Sequence, residues 1–177
     1  MSIKSKRLSL TLVLLLLLSC SFPVSAQEKA QLAQQALALR QARARAQARI
    51  EEAADALSDY FKEKAALPES PSEMDAFLVS NYGRITGEAL AGNAGPSPNG
   101  SKRTLGGINI YFDPRVGSLT QINRKLQFPA DWSGNPFELN IVSDGKSNFV
   151  VWAASENGKL DDLYCFAPLA AAGSGSP

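Results

Sequence analysis

Apolar positions recur through the first third of the chain in alternating steps of four and three: Leu32, Ala36, Leu39, then Arg43 as an interruption, then Ala46, Ile50, Ala53, Leu57 and Tyr60, with Phe61 beside it. That is heptad spacing on one face of a helix. Between Gln27 and Ala66 there is neither Gly nor Pro, and Ala, Gln, Leu, Arg and Glu, all good helix formers, dominate. The pattern predicts one long helix over 27–66, about 60 Å at ~1.5 Å per residue, which is longer than a compact domain of this size covers. Part of it is expected to project. From Ile50 onward the stripe is bulky and suits a core. Before Ile50 it is thin and mostly alanine, which suits a solvated stalk or a face awaiting partner helices. Leu32, Leu39, Ile50 and Leu57 are therefore the candidate positions for packing against a partner helix. The charges on this helix are segregated, with Arg40, Arg43, Arg45 and Arg49 first and Glu51, Glu52, Asp55 and Asp59 after them. The arginines suit a solvated helix, or a membrane-surface or partner contact.

Pro68 stops the helix. Ser70-Pro71-Ser72-Glu73 reads as a capping box with Pro at the first helical position, opening a short helix through Asp75, Phe77 and Leu78 that Gly83 is expected to close. Ala89 to Gly100, rich in Gly, Asn and Pro, reads as a surface loop. The period then changes to two. Ile108, Ile110 and Phe112 alternate with Asn109 and Tyr111 in a half-buried strand stopped by Asp113-Pro114. Phe137, Leu139 and Ile141 alternate with Glu138 and Asn140, Asp144-Gly145 turns the chain, and Phe149 to Ala153 returns with Val150 and Trp152 on one face. The fold class expected is α+β, a long N-terminal helix packed on an antiparallel sheet of three or four strands. The helix occupies 27–66, the loop and sheet region 67–168, and a disordered tail of small residues 169–177.

The start of the chain has the layout of an export signal over 1–26: Lys4, Lys6 and Arg7, an apolar run from Leu8 to Leu18, then Ser19, Cys20 and Val24-Ser25-Ala26. Ordinary processing would cut between Ala26 and Gln27. Lipoprotein processing would cut before Cys20 and lipidate it, although Leu18 is bulky for its place. Retention as a membrane anchor is the third scheme, with Leu8 to Ala26 barely long enough and Pro23 interrupting it. All three place the protein outside the cytoplasm, in the periplasm or secreted, free or held at the membrane. Removing the leader takes away three of the basic groups, so the net charge of +1 turns slightly negative, which does not suit nucleic-acid binding.

Candidate chemistry is sparse. There are no histidines, which excludes Ser-His-Asp and Cys-His catalysis and His-ligated zinc, and no motif places a carboxylate pair or a Ser-Lys arrangement, so a non-enzyme is expected. The two cysteines, Cys20 and Cys165, cannot build a disulfide scaffold, and Cys165 suits a buried apolar thiol. Trp132 and Trp152 suit a core better than a glycan surface. Glu156, Asn157, Asp161 and Asp162 gather oxygens in a Gly-containing loop, which suits a hard cation such as calcium; the alternative is a solvated turn whose aspartates bond the backbone.

Two stretches carry a resemblance. Arg49-Ile50 through Ala56-Leu57, Tyr60 and Leu67-Pro68 is similar to the helix end of the pilin-like proteins, specifically the major pseudopilins of type II secretion systems. Asp131-Trp132-Ser133-Gly134-Asn135-Pro136-Phe137 resembles their Asp-Pro-Trp-Gly-Asn-Pro-Tyr signature, with Ser133 displacing it by one residue. Ala153-Ala154-Ser155-Glu156-Asn157-Gly158-Lys159 and Asp161-Asp162-Leu163-Tyr164 follow at family-like distance. The resemblance spans roughly 45–166. It implies a pilin-like fold, a place in or beside the type II secretion pseudopilus or a type IV pilus-like machine, other pilin-like subunits or secretion machinery as protein partners, and calcium in the 156–162 loop. The start departs from the family: Arg7 stands where those proteins have Gly, and Leu12 where they have Glu. Cleavage after Ala26 would leave a soluble pilin-like domain. A free periplasmic or lipid-anchored binding module on the same fold is the alternative.

Overall fold

The computed structural model describes residues 26–90, 102–160 and 162–168. The leader with Cys20, nearly all of the 89–100 loop, Asp161 and the tail lie outside them. The chain divides between Leu39 and Arg40 into two units. In the first, the described residues are helical and exposed throughout, Leu32 and Leu39 among them.

Helix α1 runs Ala26–Lys64, close to the predicted 27–66. Ala65 stops it in the left-handed region (φ 59°), its N–H bonded to the Phe61 carbonyl at 2.7 Å, two residues before Pro68 could interfere. Helix α2 spans Pro71–Thr86 and carries the predicted capping box: the Ser70 hydroxyl accepts from the Glu73 N–H and the Glu73 carboxylate from the Ser70 N–H. It does not stop at Gly83. Tyr82 and Ile85 continue the buried stripe of Met74, Phe77 and Leu78, and that burial outweighs the ~1 kcal/mol propensity penalty of one glycine; Gly87, at φ 72°, is the cap instead.

Strands β1 (Lys102–Leu105), β2 (Ile108–Phe112), β5 (Leu139–Ser143), β6 (Asn148–Ala153) and β7 (Tyr164–Pro168) form one sheet in the order β1-β2-β5-β6-β7. A two-stranded ribbon, β3 (Gln121–Ile122) and β4 (Lys125–Leu126), lies between β2 and β5 in the chain. The expected antiparallel sheet of three or four strands is thus corrected to a mixed sheet of five. The β5-β6-β7 meander is antiparallel, but β2 pairs with β5 in parallel. Parallel neighbours need a long crossover, and residues 113–138 supply it. The extra strands are β7 and β1, the latter joined to β2 across Gly106-Gly107, both at positive φ, the backbone that a tight hairpin demands.

The sheet is covered on both faces. On one, Ile108, Ile110, Leu139, Ile141, Phe149, Val151 and Ala153 form a single core with Ala46, Ile50, Ala53, Leu57 and Phe61 of α1 and with Met74, Phe77, Leu78, Tyr82 and Ile85 of α2. On the other, Val142, Val150 and Trp152 meet Val116, Leu126 and Trp132 from the crossover. Ile50 and Leu57 are fully buried within the chain's own core. They are not open to a partner helix, which leaves Leu32 and Leu39 of the four candidates.

Candidate functional site

The crossover is organised by one polar network. Asp113 ends β2 and caps the short 3-10 turn Pro114–Ser118, accepting from the Arg115 N–H at 2.9 Å. The Arg115 guanidinium then bridges two carboxylates, Asp113 (2.6 Å from Nη2) and Asp131 (2.8 Å from Nη1). Asp113 also accepts from the Trp132 indole N–H at 3.0 Å. The Arg115 guanidinium holds both carboxyls below their ordinary range, and they in turn raise the guanidinium, so all three stay charged.

Trp132, held in this way, lies stacked on Trp152 with ring centroids 6.1 Å apart and planes 15° from parallel. Phe128 sits against both indoles and against Tyr164. Gly134 passes so close that a Cβ there would lie 3.0 Å from the Trp152 ring and 3.2 Å from the Asn140 amide. Asn135 bonds Glu138, Pro136 bridges to Ala154, and the Phe137 N–H bonds the Ala154 carbonyl at 2.8 Å from an αL backbone (φ 60°). The 131–137 segment is therefore a brace that seats the crossover on the sheet and delivers the chain into β5. Both tryptophans are buried, as expected. Beside them Asn109 and Asn140, directly paired in register, are buried and hydrogen-bonded to one another; alternation alone had placed them on a wet face.

The folded-state carboxyls of Asp113 and Asp131 are depressed, so their contribution to stability is present above their unfolded value near ~3.9 and is lost as pH falls through the folded values. Thermal melts from pH 7 to pH 3 are expected to show this acid loss in the native chain. Arg115→Gln flattens the curve there, because carboxyls without the guanidinium titrate closer to their unfolded range. An unchanged pH profile in that variant would contradict the network.

The proposed cation loop is engaged with the protein itself. Asn157 Oδ1 accepts from the Ser155 hydroxyl at 2.6 Å and from the Lys159 N–H, Asp162 is paired with Arg43 of α1, and Glu156 is exposed; Asp161 lies outside the described residues. A cation there would have to displace these contacts. Among the described residues no three His, Cys, Asp or Glu side chains stand together as a metal site. Cys165 is a half-buried free thiol, pushed up by burial, with Asp55 and Glu51 adding to the rise.

A cleft of about 480 Å³ lies between α1 and α2 around Tyr60 and Phe77. Its carboxylates are already committed: Asp59 to Lys62 and Arg84, Glu63 to Lys64, and Glu73 to the capping box. What the surface does offer is α1 itself. Leu32, Leu37 and Leu39 on its front part are 61%, 56% and 46% exposed. No described helix is long and apolar enough to cross a membrane.

No family model, curated protein or solved structure matches this chain.

Proposed function

We propose that this chain is an exported, non-enzymatic, pilin-like protein that acts through protein–protein contacts of its long helix, as a component or relative of the type II secretion pseudopilus or a type IV pilus-like machine. The observation that carries the reading is the pairing of two features: the rear half of α1 packs on the β5-β6-β7 meander, and the residues similar to the pseudopilin signature brace the entry to that meander. Exposed leucines on the front of α1 support a helix-binding role. The export layout of the first 26 residues supports a destination outside the cytoplasm.

The test is the mature N-terminus and intact mass of the protein made in a Gram-negative host and separated into soluble and membrane fractions. The reading predicts an exported chain; one that begins at Gln27 is a free pilin-like relative and not a filament subunit. Acylated Cys20 would favour the lipid-anchored binding module instead, and a membrane-held chain that keeps Leu8 to Leu18 would place it beside other pilin helices. A cytoplasmic chain that retains Met1 would overturn the proposal.

A further inference from the structure

We infer that α1 carries a self-complementary docking face, through which two copies of this chain pair antiparallel about a two-fold axis between Ala44 and Ala48. Arg40, Ala44, Ala48, Glu51 and Asp55 follow one another in steps of four, four, three and four, and all are exposed, on the side of the helix away from the buried stripe of Ala46, Ile50, Ala53 and Leu57. Of the other charges of this segment, Arg84 bridges Glu52 and Asp59, Arg43 holds Asp162 and Arg49 faces Glu88, while the exposed Arg45 donates to the Gln41 carbonyl. Arg40 and Asp55 enter no ion pair among the described residues, and Glu51 takes only the neutral Gln47 amide, at 2.8 Å. Glu51 and Asp55, one turn apart, repel each other.

The order of these charges chooses the occupant. A parallel copy in register would set Arg40 on Arg40 and Asp55 on Asp55. An antiparallel copy sets Arg40 of each chain against Glu51 of the other, the two-fold repeating the contact, while Ala44 and Ala48 let the backbones approach at the centre. An anionic membrane would attract Arg40 and repel the two carboxylates beside it. The face is only about 22 Å long at ~1.5 Å per residue, well short of a standard interface, so the dimer is weak, on the order of micromolar or weaker, and salt-sensitive. The inference does not depend on the pilin-like reading.

Sedimentation velocity of the purified full chain over a concentration series, at low and high salt, tests it. A concentration-dependent dimer that high salt weakens is expected. Arg40→Glu alone and Glu51→Arg alone should each weaken it at least about tenfold, since each sets like charges across both symmetric contacts. The combined variant R40E/E51R restores opposite charges and should recover to within about threefold of the native chain. Both positions are exposed, so circular dichroism should report unchanged helix content in every variant. A monomer at all concentrations, a dimer that neither single change weakens, or single losses that the combined variant does not rescue would overturn the inference.

Discussion

Replacing Trp152 by alanine is expected to cost about 3–5 kcal/mol, the range for deleting a large buried aromatic. Its side chain is fully buried and belongs to the layer that joins crossover to sheet, with Trp132 on its face, Phe128 at its edge and the Gly134 backbone in contact. None of these neighbours can close the gap cheaply, because Trp132 is tied to Asp113 and Gly134 carries no side chain to fill it. Domains of this size are stable by only ~5–15 kcal/mol, so the loss removes a large share of the total. Urea unfolding followed by far-ultraviolet circular dichroism measures it. A loss below about 1 kcal/mol would mean that the crossover collapses onto the vacated space and that the brace is not rigid.

The second large effect lies on α1 and is a contrast between two positions of one heptad stripe. Ile50→Ala is expected to destabilise by about 2–5 kcal/mol, since Ile50 is fully buried in the core shared by α1, α2 and the sheet. Leu39→Ala, eleven residues earlier on the same stripe, is expected to stay within about 0.5 kcal/mol, because Leu39 is exposed. The same urea series compares them. Equal losses would mean that the front of α1 is packed in solution.

That contrast was half legible in the sequence. Bulk along the stripe separates the two regions: leucines spaced by alanines before Arg43, and isoleucine, leucine and aromatics after Ala46. The capping box at Ser70 and the β5-β6 hairpin were equally legible, because each depends on residues close in the chain. The parallel pairing of β2 with β5 was not, since it depends on contacts made across the whole crossover. Alternation presumes one wet face and so points Asn109 and Asn140 outward, whereas both are buried, with the Gly134 backbone close to the Asn140 amide. Gly106-Gly107 is the sequence signal for the β1-β2 hairpin. In the sequence Asp113-Pro114 signals only a strand stop. Its larger role, with Arg115, Asp131 and Trp132, needs partners up to nineteen residues away to be brought together. For the candidate cation loop, the sequence does not reveal that Arg43, Ser155 and Lys159 reach two of its side chains.

Along α1, residues 46–61 carry the core stripe and the side chains of 28–39 are exposed, and amide hydrogen exchange on the purified full chain measures that difference directly. Amides of 46–61 are expected to exchange only through global unfolding. Those of 28–39, whose side chains are exposed, are expected to exchange orders of magnitude faster, as frayed helix does. Protection of 28–39 equal to that of 46–61 at a dilution where the chain is monomeric would contradict the account.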